Sequence, residues 1–255
     1  MYHGTKSDYR GFDRYDHEVD GCATIVVAPH DVAPGRPWMW RAEFFDHEPQ
    51  ADVALLHLGF HLTFIEVHNT FGCPWAMDRW ESFYAFLTGE YGLHPKSALE
   101  GLSRGGLYCH NWAARHPDRV ACIYDDAAVM DFKSWPRGLG VGDGNPAEWE
   151  KLLQDYGFAS EEEALAYPLN PVDNLAPLAA ADIPILHVYG DADTAVPPVE
   201  NVLVVQERYG KLGGRIETIC KPGVGHHPHS LVDPTPIVDF VMQAYGLEPL
   251  DSTAS

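Results

Sequence analysis

Short apolar runs alternate with longer amphipathic stretches along most of the chain. Runs rich in β-branched and aromatic residues predict buried strands, and they fall at 23–28, 62–67, 120–124, 183–189 and 215–219. Stretches with helical spacing lie between or after them, at 52–58, 76–91, 107–115, 199–209 and 236–245. Strands that alternate with helices predict an α/β fold with a doubly wound, mostly parallel sheet.

Three segments near the N-terminus and one at the C-terminus lie outside this alternation. Residues 1–11 predict a loose arm, and residues 13–19 predict an edge-like strand that turns at Asp20-Gly21. The segment 30–45 is rich in Trp, Pro and Arg, and it predicts a long connection that shapes a binding surface. The residues from Pro249 onward predict a tail.

A weaker pattern follows the strand at 120–124. Four glycines alternate with other residues at 138–144, and two short helical stretches follow at 146–156 and 161–166. We interpret residues 127–177 as a small inserted cap that covers the functional site. The expected organisation is one domain over residues 12–247 that carries this insert.

Net charge, cysteine spacing and the N-terminal sequence limit the classes of partner and the cellular compartment that we expect for this protein. The chain has 255 residues and a formal net charge of −20, from 37 acidic and 17 basic residues. This charge disfavours nucleic acid and anionic membranes as partners, because both would be repelled. The five cysteines are scattered without Cys-x-x-Cys spacing, which predicts neither a disulfide framework nor a zinc site. The polar N-terminus is unlike a signal peptide, so we expect a cytoplasmic protein, or an exported one whose signal has been removed.

The candidate nucleophile is a serine at a predicted strand-to-helix turn. Gly101 and Gly105 flank Ser103 in the pattern Gly-x-Ser-x-Gly, between a short predicted strand at 95–99 and the helix at 107–115. Small neighbours are needed there because the strand and the helix pass close together. The pattern predicts a hydroxyl held at a helix N-terminus, where backbone N–H groups favour an anion.

A serine nucleophile needs a base and an orienting carboxylate, and both are available after later strands. Asp193 follows the strand at 183–189 in Gly-x-x-Asp-x-x-Val-Pro, and His226 follows the last strand in Gly-x-Gly-His. With Ser103, these turns resemble the α/β-hydrolase superfamily from about residue 12 to 247. The resemblance implies a Ser103–His226–Asp193 triad and selects Asp193 over the nearby Asp191.

Two alternatives concern the acid and the neighbouring histidines. Asp126 follows the strand at 120–124, where some superfamily members place the acid, so Asp126 is an alternative partner for the base. His226, His227 and His229 together suggest a metal site, but no acidic ligand lies nearby in the sequence. We therefore expect no metal and no organic cofactor, with His227 in a structural or substrate-contacting role.

The residue after the nucleophile, Arg104, is expected to donate its backbone N–H to the oxyanion. The Gly-x-Ser-Arg turn also resembles bacterial carbohydrate esterases of the glucuronoyl-esterase type, which implies that the guanidinium helps to stabilise the oxyanion. An ion pair with an acidic side chain is the alternative. The second oxyanion donor is expected around His30-Asp31, after the strand at 23–28.

Aromatic residues near the predicted site suggest a sugar-binding surface. The blocks that contain Trp38, Trp40, Arg41 and Trp135 resemble bacterial hydrolases linked with polysaccharide breakdown. Indole faces pack on sugar C–H groups, and arginine pairs with carboxylates or hydroxyls. The alternative for each tryptophan is an ordinary place in the hydrophobic core.

These observations predict a serine hydrolase that cleaves a carboxylic ester through an acyl-enzyme. The expected substrate is a small-molecule or carbohydrate ester, with an esterified carbohydrate as the leading choice. A peptidase or a lactone hydrolase of the same fold is the alternative within enzymes. A hydrolase-like binding protein without activity is the alternative outside enzymes.

Overall fold

A computed structural model describes residues 2–248, so the tail predicted from Pro249 onward lies outside the described residues. Nine strands form one sheet in the order β1-β2-β3-β5-β4-β6-β7-β8-β9. The pairs β1/β2, β2/β3 and β3/β5 are antiparallel, and every pair from β5/β4 to β8/β9 is parallel. The strands are β1 Thr5–Tyr9, β2 Phe12–Val19, β3 Cys22–Ala28, β4 Trp38–Ala42, β5 His61–Ile65, β6 Ser97–Leu102, β7 Val120–Asp126, β8 Ile185–Gly190 and β9 Ile216–Lys221.

Helices cover both faces of the sheet, as the alternating pattern predicts. One hydrophobic core contains Trp80 of α2, Trp112 of α3 and Val205 of α7, and the core on the other face contains Leu55 of α1 and Val241 of α8. The doubly wound, mostly parallel α/β fold is confirmed. The α-helices are α1 Gln50–His57, α2 Pro74–Glu90, α3 Gly105–Arg115, α4 Pro146–Tyr156, α5 Glu161–Leu165, α6 Ala176–Ala180, α7 Val202–Lys211 and α8 Thr235–Ala244.

Two strands occur where the sequence predicts irregular segments. The expected loose arm at 1–11 contains β1, which pairs with β2 at the edge of the sheet and exposes four of its five residues. The expected long connection at 30–45 contains β4, which lies between β5 and β6. Both strands are only five residues long, so neither gives a clear alternating pattern.

The strand β4 is buried on both faces, and this position corrects one functional prediction. Trp38, Trp40 and Arg41 are all 0 % exposed. Trp40 stacks on Trp80 of α2, with ring centroids 4.1 Å apart. The prediction that Trp38, Trp40 and Arg41 contact substrate is therefore wrong, because these side chains fill the interior of the fold.

The buried Arg41 guanidinium organises the polypeptide between β4 and α1. It pairs with the carboxylates of Asp52 and Glu100, and it also donates to the backbone carbonyls of Phe44 and His47. Burial raises the pKa of Glu100 well above its ordinary value. The loop that follows β4 is thus anchored to the protein interior.

The segment from residue 127 to 177, expected to be an inserted cap, carries α4, α5 and the start of α6. Its side chains Phe132, Trp149 and Leu152 form a hydrophobic cluster with Phe71 and Leu107. Helix α4 begins after Asn145, whose side chain accepts a hydrogen bond from the Glu148 N–H group at 3.2 Å. Among residues 2–248, none of the helices has the length and apolar content needed to cross a bilayer.

Candidate active site

Ser103 lies at the sharp turn between β6 and α3, where the backbone is strained. Its φ is 52°, in the left-handed region that only a few residue types enter readily. A Cβ atom at Gly101 would lie 2.9 Å from the Gly106 nitrogen, and one at Gly105 would lie 2.6 Å from the Ala42 carbonyl oxygen. The two glycines of the sequence pattern are therefore required by close backbone approach.

The neighbouring strand helps to hold this turn. The Ser103 N–H donates to the Asp126 carbonyl at 2.9 Å, and the Ser103 carbonyl accepts from the Val129 N–H at 2.8 Å. Both contacts come from the end of β7 and the residues just after it. They offset the unfavourable backbone conformation, because strained residues persist only where surrounding contacts fix them.

Three side chains predicted as a triad form a continuous hydrogen-bonded relay. The Ser103 hydroxyl lies 3.0 Å from His226 Nε2, and His226 Nδ1 lies 2.8 Å from Asp193 Oδ2. The other oxygen of Asp193 accepts from the N–H groups of Ala195 and Val196, each at 2.9 Å. This arrangement lets the imidazole remove the serine proton while the carboxylate fixes its orientation.

The relay is assembled by the carboxyl ends of parallel strands. Asp193 follows β8 and His226 follows β9, and these two strands are neighbours in the sheet. Asp191 accepts a hydrogen bond from the Gly223 N–H at 2.6 Å, so it ties the turn after β8 to the turn after β9. Asp191 is exposed, and the His226 ring is bonded to Asp193 instead, in agreement with the predicted turn role of Asp191.

Asp126, the alternative acid, is paired with a different histidine. Its Oδ1 lies 3.0 Å from His229 Nδ1, and its Oδ2 accepts from the Ser230 N–H at 2.7 Å. The alternative that Asp126 orients His226 is therefore wrong. The reason is that Asp193, in the turn after β8, reaches the His226 ring, while Asp126 is fully buried and paired with His229.

A cavity of about 310 Å³ opens beside the relay. His227 lines it and is exposed, as a substrate-contacting residue must be. Partial burial and the adjacent rings of His229 and His226 lower the pKa of His227. The residues that line this cavity are Phe44, His47, Ser103, His226, His227 and His229.

Sequence reasoning missed Phe44 and His47. Phe44 lies near the end of the segment 30–45 that the sequence predicts as a connection, His47 lies just beyond it, and no catalytic motif marks either residue. The sequence would point to these residues only if β4 were recognised as a parallel strand, because functional residues cluster at the carboxyl ends of parallel strands. Phe44 and His47 follow the carboxyl end of β4, next to Ser103 at the end of β6.

The location of the second oxyanion donor also needs correction. His30 follows β3, which runs antiparallel to β5. The carboxyl end of β3 therefore lies on the side of the sheet where the parallel strands have their amino ends. The His30 ring stacks on Phe12 at 4.7 Å, at the edge opposite Ser103. The prediction for His30 is wrong because it assumes a parallel strand there. The backbone after β4, where Glu43 and Phe44 both have positive φ, is the candidate instead.

Arg104 adopts the ion-pair alternative. Its Nε donates to Glu43 Oε2 at 2.9 Å, and Nη1 lies 3.8 Å from Glu148 Oε1. The guanidinium also lies over the Phe44 ring, 4.9 Å from its centroid. The Arg104 side chain thus connects the turn after β4 to the nucleophile turn.

Trp135, predicted to contact substrate, is half-buried, and its ring centroid lies 6.2 Å from that of Phe71. It is not among the residues that line the cavity beside Ser103.

Arg104→Ala is expected to lower kcat by about 10-fold, because small displacements of an oxyanion donor weaken transition-state stabilisation. KM should change little, since the guanidinium is already paired with Glu43. Steady-state kinetics with one neutral and one acidic substrate test this expectation. A rise in KM confined to the acidic substrate would instead assign Arg104 to binding a substrate carboxylate.

Comparison with known proteins identifies the group to which this relay belongs. Residues 77–243 match the prolyl oligopeptidase family, and this range includes Ser103, Asp193 and His226. The chain belongs to the prolyl oligopeptidase family. As a member of this family it has the α/β-hydrolase fold, and Ser103, His226 and Asp193 stand in the arrangement of a serine-hydrolase triad. No curated protein sequence matches the chain.

Solved structures share the fold of this prolyl oligopeptidase family member at low sequence identity. A puromycin-hydrolysing peptidase from Mycobacterium tuberculosis is 14 % identical with a TM-score of 0.70, over 94 % of this chain and 40 % of that chain. Dipeptidyl peptidase 4 from Porphyromonas gingivalis is 13 % identical with a TM-score of 0.64, over 92 % and 35 %. A protein from Acinetobacter baumannii AYE, described as a putative lipase, is 13 % identical with a TM-score of 0.60, over 92 % of this chain and 93 % of that chain.

The chain thus spans about 40 % of the length of the puromycin-hydrolysing peptidase that it resembles. It matches almost the full length of the Acinetobacter protein. At these identities the similarity concerns the fold.

Proposed function

We propose that this protein is a peptidase that hydrolyses short peptides through an acyl-enzyme formed on Ser103. The hydrogen-bonded relay of Ser103, His226 and Asp193 is the observation that carries the proposal. Membership of the prolyl oligopeptidase family favours an amide as the bond that is cleaved. The cavity of about 310 Å³ is at the small end of ligand sites and favours a short acyl group.

In the proposed mechanism, the Ser103 oxygen attacks the scissile carbonyl while His226 Nε2 takes the hydroxyl proton. Backbone N–H groups of Arg104 and of the turn at Phe44 stabilise the oxyanion that forms. His226 then gives its proton to the leaving amine, and the C–N bond breaks. Water, deprotonated by His226, then attacks the acyl-enzyme; the bond to the Ser103 oxygen breaks, His226 returns the proton to that oxygen, and the acid is released.

Hydrolysis of a carboxylic ester is the second candidate, because the same relay can attack an ester and release an alcohol. The similarity in length to the Acinetobacter protein, described as a putative lipase, favours this candidate. An esterified carbohydrate as substrate loses support, since Trp38, Trp40 and Arg41 are buried and Arg104 is paired with Glu43. A lactone hydrolase or an inactive binding protein has no specific support from the site.

Paired substrates with the same acyl group test the proposal. Aminoacyl and dipeptidyl anilides should be hydrolysed with kcat/KM well above that of uronate and acetylated-sugar esters. The matching nitrophenyl esters of the same acyl groups provide a control for acyl recognition, because they remove the need to expel an amine. Turnover of esters with no measurable cleavage of any anilide would contradict the peptidase proposal and leave the ester candidate.

A further inference from the structure

Three histidines outside the relay gather beside the nucleophile. His47, His227 and His229 can each offer one ring nitrogen, and these atoms all lie within 4.8 Å of one another. All three side chains line the cavity that contains Ser103. His47 follows β4, while His227 and His229 follow β9, so only the folded chain brings the three together.

His229 is held in the orientation typical of a metal ligand. It is 3 % exposed, and its Nδ1 lies 3.0 Å from Asp126 Oδ1, which leaves Nε2 free on the cavity side. Asp126 is itself fixed by the Tyr124 hydroxyl at 3.1 Å and by the Ser230 N–H. Such a buried carboxylate behind an imidazole fixes the tautomer and orients the other nitrogen toward a metal.

The backbone that carries the other two histidines is anchored as well. The His47 N–H donates to the Phe44 carbonyl at 3.0 Å, and the His47 carbonyl accepts from the buried Arg41. Glu48 accepts from the His229 N–H at 2.5 Å, so it connects the loop after β4 to the loop after β9. The rings of His47 and His227 are exposed, which leaves them free to adjust around an ion.

We propose that His47, His227 and His229 form a binding site for a divalent zinc-type cation. Zn–N bonds of about 2.0–2.1 Å in a tetrahedral site place imidazole nitrogens roughly 3.3 Å apart, so side-chain rotation of the two exposed histidines completes the geometry. Three imidazoles select zinc, copper or nickel over magnesium or calcium, which prefer oxygen ligands. The Glu48 carboxylate, 3.5 Å from His47 Nε2, favours a cation at this position, whereas the charge of Asp126 is offset by the Lys221 ammonium at 3.6 Å.

The bound ion occupies part of the cavity that faces Ser103, so it competes with substrate. The predicted competition rests on the proposed hydrolase function, whereas the metal site itself does not. Zinc binding is therefore measured first on a variant without turnover, so that failure of the metal site can be distinguished from failure of the hydrolase proposal.

The binding experiment uses Ser103→Ala protein that has been treated with a chelator and titrated with ZnCl₂ in a calorimeter. One equivalent of zinc per chain is expected to bind. Adding His47→Gln or His227→Gln should weaken zinc binding by at least about 10-fold. His57→Gln is the matched control, because His57 is an exposed histidine whose ring packs beside Phe12, away from the cavity. Cobalt bound in the same protein should give the visible absorption of a tetrahedral site.

Kinetics of the wild-type protein test the competition. Zinc should raise the apparent KM and leave kcat at saturating substrate unchanged, and His47→Gln should reduce this sensitivity to zinc. Absence of binding at one equivalent, or equal zinc affinity in the His47→Gln, His227→Gln and His57→Gln proteins, would overturn the site. A fall in kcat with unchanged KM would overturn the competition.

Discussion

Ser103→Ala is expected to reduce hydrolysis of every substrate by a factor of about 10⁴ or more. The Ser103 Oγ atom lies 3.0 Å from His226 Nε2. Among the described residues, no other hydroxyl group lines the cavity. Without the Ser103 hydroxyl, water must attack the carbonyl directly, and only binding and oxyanion stabilisation remain. Initial rates on the anilide and ester pairs, measured with active-site titration of the wild type, give the comparison.

The Ser103→Ala protein should fold normally. Alanine keeps the small side chain that the turn demands, and the hydrogen bonds to Asp126 and Val129 use only backbone atoms. Near-equal melting temperatures by circular dichroism should accompany the lost activity. Retention of most of the wild-type rate would show that Ser103 is not the nucleophile. If the alanine variant failed to fold, Ser103→Gly would be assayed instead, because glycine also lacks the hydroxyl and adopts a φ of 52° without strain.

Asp193→Asn should cost a factor of about 10⁴ in kcat while the fold is retained. Asp193 is 5 % exposed, and its carboxylate accepts hydrogen bonds from two backbone N–H groups as well as from His226. An amide in its place can present an N–H to His226 Nδ1, which then becomes an acceptor. The Nε2 atom is then protonated and can no longer remove the proton of Ser103.

Asp191→Asn is the matched control for this change. Asp191 lies two residues away on the same turn and is exposed, and its carboxylate accepts a hydrogen bond from the Gly223 N–H. An asparagine oxygen can accept the same bond, so kcat should remain within a few-fold of the wild-type value. Comparable losses for Asp191→Asn and Asp193→Asn would contradict the assignment of the acid.

The geometry also separates the two aspartate–histidine pairs of the site. Asp193 pairs with His226, which is hydrogen-bonded to the Ser103 hydroxyl, while Asp126 pairs with His229, which lines the same cavity. The rings of His226 and His229 lie 5.0 Å apart. One site thus contains a pair suited to proton transfer and a second pair suited to holding an ion.

The positions of Ser103, Asp193 and His226 could be predicted because their signals are local. Glycine is required on both sides of Ser103 because a Cβ atom at Gly101 or Gly105 would lie 2.9 Å or 2.6 Å from a backbone atom. The turns after β8 and β9 carry their acid and base at fixed offsets from glycine. Such turn chemistry depends on a few adjacent residues, so the sequence alone carries it.

Strand direction and burial could not be predicted in the same way. His30 follows an apolar strand as expected, but the antiparallel course of β3 takes it to the edge opposite Ser103. Trp38, Trp40 and Arg41 have the composition of a binding surface, yet pairing on both sides buries them in β4. The amino-acid composition of a segment does not show which strands it will pair with in the sheet.

The sequence by itself determined the α/β class, the nucleophile turn and the order of acid and base along the chain. The tertiary structure decided which loop faces Ser103, which carboxylate serves which histidine, and that His47 joins His227 and His229. The physical reason is that turns and periodicity arise from contacts between near neighbours, whereas the cavity is formed by loops from separate strands. Those loops meet only because the sheet brings the carboxyl ends of its parallel strands to one edge.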